Sequence, residues 1–382
     1  MDVRIMSRCT RRSGRIAHQQ RRGQAALSLL FFLFAGALFA LPFARTPDGP
    51  AWDREDLTRN GGISKDFTLA EDLEYFAEVM DAELGAELVT LVEESSETYF
   101  GMRSEWLAGR GILEVDRLPA GRRAYEMECS GCHGRNGDGA GPAATFLEPR
   151  PRNFRRGAYK FTTTSTGMRP KRSDLFGTIT RGLAGSAMPS FRLLNEERRH
   201  DIVEYVRYLG MKGEYEHMLV TVATDEEELP DPLEYAELVS DRWDPDQLIS
   251  VFPGAPETER TRESVARGRE IYFDASRANC VSCHGDTGKG DGPAVTGAKD
   301  VVNGFGEDVT VAGIYDDWGY RMFPRDFSSG VFRAGEEGKD LYITVATGIG
   351  GTPMGSFSGV LEPDEIWDLI HFVQSLGEGG GQ

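Results

Sequence analysis

Between Ala25 and Ala44 the chain runs AALSLLFFLFAGALFALPFA without a charge, about 20 residues, the length a helix needs to cross a ~30 Å hydrocarbon core. Arg4, Arg8, Arg11, Arg12, Arg15, Arg21 and Arg22 precede it, and positive charge on that side keeps residues 1–24 cytoplasmic and sends the downstream chain across the membrane. The segment reads as a retained anchor or as a cleaved signal. Its small-residue triplet Ala35, Gly36, Ala37 lies inside the apolar run rather than after it, which favours the anchor over 25–44. Either way the bulk of the chain is exported.

Farther on, the apolar period is helical. Ile202, Tyr205, Val206 and Leu209 fall at i, i+3, i+4 and i+7, and Leu369, Phe372, Val373 and Leu376 repeat the offsets, so two helices with matched faces are expected. Asn195 suits an N-cap, Pro363 a first helical turn, and Gly210 and Gly377 sit where C-terminal caps belong. Residues 121–128 and 265–273 also read as helices, each with a glycine, Gly121 or Gly268, and a tyrosine four residues on, Tyr125 or Tyr272. Such a glycine suits a close helix crossing with the tyrosine packed over it; the plainer reading is a core tyrosine beside a tolerated glycine. An acidic helical run at 69–94, within the segment 45–115, predicts an adapter that packs on the following domain or on a partner. The acidic, proline-punctuated stretch 224–247 reads as a linker or exposed connector.

These elements recur in order. Gly121, Tyr125, a cysteine motif, PRNF at 151–154, GLAGSAMPSF at 182–191 and a terminal helix ending at Gly210 are matched by Gly268, Tyr272, a cysteine motif, PRDF at 324–327, GIGGTPMGSF at 348–357 and a helix ending at Gly377. A duplication of this kind gives each half its own core and its own site.

Charge narrows the partners. The whole chain carries −18, and residues 1–44 hold seven Arg against one Asp, leaving about −24 on the remainder. Nucleic acid is excluded as a partner, since phosphate backbones need a basic footprint. The field suits docking by basic faces, or serves solubility alone.

The cysteine motifs, ECSGCHG and NCVSCHG, hold four of the five cysteines; the fifth is Cys9. A disulfide, half a zinc site, a redox dithiol and a haem tether all use a cysteine pair. The two pairs of a four-cysteine zinc site lie about 15–20 residues apart, but 147 residues separate Cys132 from Cys280. A thioredoxin-like dithiol follows a strand, whereas these pairs follow a helix. Neither reading uses His133 and His284. A covalently attached haem does: Cys129 and Cys132, and Cys280 and Cys283, would add to the two vinyl groups of one porphyrin, placing His133 or His284 under the iron.

Met188 and Met354 occupy matching places in Gly-rich loops, where a thioether opposite the histidine gives the His/Met ligation of electron-transfer haems. The bland reading is a gap-filling methionine. Met168 and Met322 are rival ligands without matched flanks. Arg152 and Arg325, in PRNF and PRDF, are candidate clamps for haem propionates, or else solvated surface arginines beside a proline turn.

On these residues each half resembles a class I c-type cytochrome domain: a helix with Gly and an aromatic, C-x-x-C-H, a Gly-rich loop carrying the axial Met, and a C-terminal helix packed across the first. The resemblance implies an all-α fold with two tandem cytochrome c-like domains, 116–211 and 262–378, joined by an acidic linker at 212–261 and ending in a tail at 379–382. It implies two covalently attached haem c groups, no catalytic residue, and electron carriage between redox protein partners of a bacterial respiratory chain. Membrane-anchored dihaem cytochromes share the tandem form, with haem domains on the periplasmic side of the cytoplasmic membrane. A dihaem peroxidase, or a haem subunit of a larger oxidoreductase complex, is the alternative. Two departures stand: the second half has about 22 extra residues between its His and PRDF, and residues 50–115 match nothing in the family.

Overall fold

The computed structural model describes residues 82–165, 167–226, 228–251, 256–302, 308–318 and 320–378. The apolar run Ala25–Ala44, Cys9 and the tail 379–382 lie outside the described residues, and no described helix is long and apolar enough to cross a membrane.

The first half opens with α1 (Ala82–Phe100) and the short α2 (Glu105–Arg110). Then come α3 (Leu118–Glu128), a single turn α4 (Ser130–His133), α5 (Arg172–Arg181) and the long α6 (Glu196–Glu226). Asn195 caps α6 as expected, its Oδ1 accepting from the Arg198 amide at 2.8 Å.

The helix α3 crosses α6 at Gly121, where a Cβ would overlap the carbonyl oxygen of Asp201. Tyr125 is fully buried over the joint with its ring 5.3 Å from that of Tyr205. Its hydroxyl donates to the Gly134 carbonyl at 2.7 Å. The glycine is therefore required by backbone contact, not merely tolerated.

Gly210 does not end α6. The helix runs 16 residues beyond it, because Met211, Tyr215, Leu219, Val220 and Ala223 continue the buried stripe. Gly210 instead makes room for neighbours: a Cβ there would lie 2.6 Å from the Tyr159 hydroxyl and 2.9 Å from the Trp243 ring. Gly377 likewise falls inside the last turn of its helix.

The stretch 224–247, expected as a connector, completes α6 and then forms α7 (Pro232–Trp243), capped by the Asp231 carboxylate accepting from the Leu233 amide. Three of its apolar residues, Ala236, Val239 and Trp243, lie on one stripe and are fully buried, while Leu229, Leu233 and Leu238 stay exposed. The buried three meet Leu88, Val92, Phe100 and Leu107 of α1 and α2 in a single core with α6. The described part of the adapter, residues 82–115, thus packs on the first domain.

Buried charges pin this addition. Glu214 accepts from Trp243 Nε1 and Arg242 Nη1, each at 2.9 Å, and from Arg169. Glu216 accepts from Ser96 and Arg155. Each buried carboxylate is matched by donors, as desolvation demands.

The second half repeats the frame with α8 (Arg262–Phe273), α9 (Val281–His284), α10 (Pro293–Thr296), α11 (Gly338–Thr347) and α12 (Pro363–Glu378). Gly268 meets the Asp368 carbonyl of α12 as Gly121 meets Asp201, and Tyr272 donates to Gly285 at 2.7 Å. The all-α expectation needs one correction. The extra residues of this half form two antiparallel hairpins, β1 (Ala298–Val302) with β2 (Asp308–Ala312) and β3 (Ile314–Tyr315) with β4 (Arg321–Met322). The valines of β1 and β2, and the alternation of β2 (DVTVA), suit a pleated strand better than a helix.

Gly268→Ala should cost about 1–3 kcal/mol or more by overpacking against the Asp368 backbone. It should lower the thermal midpoint followed by far-ultraviolet circular dichroism. Gly359→Ala, where a Cβ meets nothing within 4 Å, should leave that midpoint in place.

Candidate functional site

In each half the cysteine motif is one helical turn: in the first it follows directly on the crossing helix α3, and in the second the turns of residues 274–279 separate it from α8. The Cys129 amide donates to Tyr125 O at 2.8 Å and the His133 amide donates to Cys129 O at 2.9 Å. In the second half His284 donates to Cys280 O at 2.9 Å. Residues i, i+3 and i+4 of a helical turn share a face, so Cys129, Cys132 and His133 project together, as do Cys280, Cys283 and His284.

All four thiols are half-buried and unbridged. Among the described residues no three of His, Cys, Asp and Glu gather as a metal cluster. Burial pushes the thiols of Cys129 and Cys280 up to about 12. A redox dithiol needs the opposite, a thiolate stabilised near neutral pH.

The histidines are held from one side. Nδ1 of His133 lies 3.1 Å from the Arg152 carbonyl oxygen, and Nδ1 of His284 lies 3.5 Å from that of Arg325. Phe154 stacks on the first imidazole with centroids 4.7 Å apart, and Phe327 on the second at 4.4 Å. A carbonyl at Nδ1 selects the tautomer that keeps its proton there and leaves the Nε2 lone pair for a metal. Burial lowers both imidazole pKa values, that of His284 to about 4, so the rings are neutral, as a ligand requires.

The methionine loops are also built alike. The carbonyl of Met188 accepts from the Leu183 amide at 3.1 Å and that of Met354 from Ile349 at 2.9 Å. The methionine amides donate to Ser186 Oγ and Thr352 Oγ1, each at 3.2 Å. Gly182 and Gly348 turn the chain into these loops at φ +69° and +73°, conformations open to glycine, with the returning strand where a Cβ would stand. Phe191 and Phe357 return each loop to its preceding helix, donating to Ile179 O and Val345 O at 3.1 Å. Met168 is exposed in a turn and Met322 lies on β4, both outside these loops.

Arg152 is no solvated surface residue. It is 8% exposed, its Nη2 donates to the Gly350 carbonyl of the other half at 3.0 Å, and its guanidinium lies 4.0 Å from the Trp318 ring. Arg325 donates from Nε to Val331 O at 2.5 Å and from Nη2 to Ser329 Oγ at 3.2 Å.

A haem fits this arrangement on grounds of charge. Arg152 Nε, Arg333 Nε and Trp318 Nε1 are buried donors without a protein acceptor. Desolvation lowers Arg152 to about 10 and Lys160 to about 8, and lowers Arg333 as well. Cations pressed into a dry site with unused donors call for anionic acceptors, and each haem carries two propionates.

Phe154 and Phe327 escaped the sequence reading, although their place in the repeated PRNF and PRDF was the available signal. Trp318, Lys160 and Arg333 gave no comparable signal; Trp318 lies in the unrepeated insertion.

The Cytochrome c family matches residues 119–210 and 265–377. The chain belongs to that family, carries two covalently attached haem c groups and transfers electrons by them. Among solved structures it is similar to a chain of the reducing HAO-like protein complex of Kuenenia stuttgartiensis, with 30% identity and a TM-score of 0.50. That likeness covers 67% of this chain and 95% of the other. Among curated proteins none matches.

Intact mass after expression in a host competent for cytochrome c maturation should show two haem additions. The double variant Cys280→Ala, Cys283→Ala should show one.

Proposed function

We propose that the protein is a dihaem electron carrier whose irons are held by His133 and Met188 in the first half and by His284 and Met354 in the second. The thioethers are placed on Cys129, Cys132, Cys280 and Cys283. The observation that carries the reading is the duplication of the methionine loop down to its hydrogen bonds, Met188 with Leu183 and Ser186, Met354 with Ile349 and Thr352. When bound, the haems supply a one-electron iron couple, and a thioether ligand favours its reduced form. A loop that presents a ligand in both halves leaves neither half an open iron for peroxide or oxygen, which favours conduction over catalysis.

The anchor reading of Ala25–Ala44 places the haem domains on the periplasmic side of the cytoplasmic membrane, in a respiratory chain. About −24 of formal charge beyond that segment suits redox partners that dock by basic faces and arrive by electrostatic steering. The likeness to a chain of a reducing HAO-like protein complex favours a second reading, in which the same conduction serves as the electron-transfer subunit of a larger oxidoreductase.

Both ferric haems should be low-spin with the weak sulfur-to-iron band in the far red. Met188→Ala or Met354→Ala should each remove one share of that band, open one ferrous haem to carbon monoxide and lower its potential. A high-spin haem in the unmodified protein that turns over peroxide would instead make it an enzyme.

Fractionation of cells should leave the protein with the membranes, resistant to salt washing and released by detergent. N-terminal sequencing that begins near Arg45 would identify a removed signal.

A further inference from the structure

The two halves exchange contacts through the same repeated residue. From the first half, Arg152 sends its carbonyl oxygen to Nδ1 of His133 at 3.1 Å, while its Nη2 donates to Gly350 in the methionine loop of the second half at 3.0 Å. From the second half, Arg325 turns its carbonyl to Nδ1 of His284 at 3.5 Å. Its guanidinium lies against Gly185 in the methionine loop of the first half, where a Cβ would stand 2.8 Å from Nη1. One residue in each half thus touches its own histidine and the other half's loop.

The second loop has little freedom to absorb a displacement at Gly350. Thr352 donates to Ile349 O at 3.2 Å, Ile349 to Met354 O at 2.9 Å, and Asp317 to Gly351 O at 3.2 Å. A Cβ on Gly350 would overlap the Tyr159 carbonyl oxygen of the first half. Trp318, fixed by its amide donating to Asp316 Oδ1 at 3.1 Å, backs the Arg152 guanidinium. Because Arg152 is buried, its charge is also weakly screened.

We infer that Arg152 is a positioning residue shared by both haem sites, holding the histidine of the first and the methionine loop of the second, so that the potential of the second haem is set in part from the first half. Arg325 plays the reciprocal, weaker part, touching Gly185 without a hydrogen bond. The inference rests on Met188 and Met354 being the sixth ligands.

The test uses the full-length, doubly loaded protein, titrated potentiometrically with visible and far-red spectra. In a Met188→Ala background the remaining far-red band belongs to Met354. There, Arg152→Gln should shift or weaken that band. It should also move the second haem's reduction equilibrium by about tenfold or more, about 59 mV for one electron, toward the oxidised form. Arg152→Lys, which keeps the charge and one donor, should restore part of the shift; a purely structural loss would not track charge in this way.

Trp318→Leu provides an independent arm if Arg152→Gln loads haem poorly. Lying in the second half, it should move the first haem's potential by releasing Arg152. The inference is overturned if Arg152→Gln alters only the first haem, or if Trp318→Leu alters only the second. Survival of the full far-red band in both Met188→Ala and Met354→Ala would overturn the ligand assignment instead.

Discussion

In both repeats the first helix meets the last at a glycine, with a backbone carbonyl of the last helix in the space a side chain would need: Gly121 against Asp201, Gly268 against Asp368. That approach brings Tyr125 and Tyr272 down over the joint, where their hydroxyls reach the carbonyls of Gly134 and Gly285, one residue past each histidine, at 2.7 Å. In both repeats the far end of the motif turn is tied by hydrogen bond to the buried tyrosine of the crossing helix, and in the first its near end also continues that helix directly. A cysteine pair and a histidine on a free loop would sample many relative positions. Here they project from one turn whose orientation the helix crossing sets.

The second constraint is electrostatic and lies where the halves meet. Arg152, Lys160 and Arg333 are taken out of water with few carboxylates beside them; Asp316, Asp317 and Glu148 provide the nearby negative charge. Burial without full pairing is costly, and an anionic acceptor would offset it. The same crowding brings aromatic faces to the junction, with Trp318 under Arg152 and Tyr159 stacked on Phe154 at 5.6 Å. Histidine support in the first half and contact with the second half thus share one patch of structure.

The first half also carries a load the second does not. Its last helix extends to Glu226 and offers Glu214 and Glu216 to donors from α1, α7 and the loop before α5. Arg207, fully buried, donates to the carbonyls of Ile112, Pro170 and Trp243. These bonds hold the adapter and the acidic stretch against the first core. The last helix of the second half is described only to Glu378, and the extra residues of that half, between His284 and Pro324, form two short hairpins instead.

The features legible in the chain alone were local or periodic. The C-x-x-C-H spacing places three side chains on one helical turn, the apolar stripes of 202–209 and 369–376 define helix faces, and duplication identifies Met188 and Met354 by their matched flanks, all within a few residues of chain. Folding in three dimensions settled whatever depends on residues far apart: that Gly210 accommodates Tyr159 and Trp243 rather than ending a helix, that three apolar residues of an acidic stretch line up on α7, and that Arg152 reaches Gly350, 198 positions away. Composition marked 224–247 as a connector because its charges outnumber its apolar residues. Three apolar side chains on one stripe, facing α1 and α6, were sufficient to bury it, and the partners that made burial favourable lie in segments no local pattern connects.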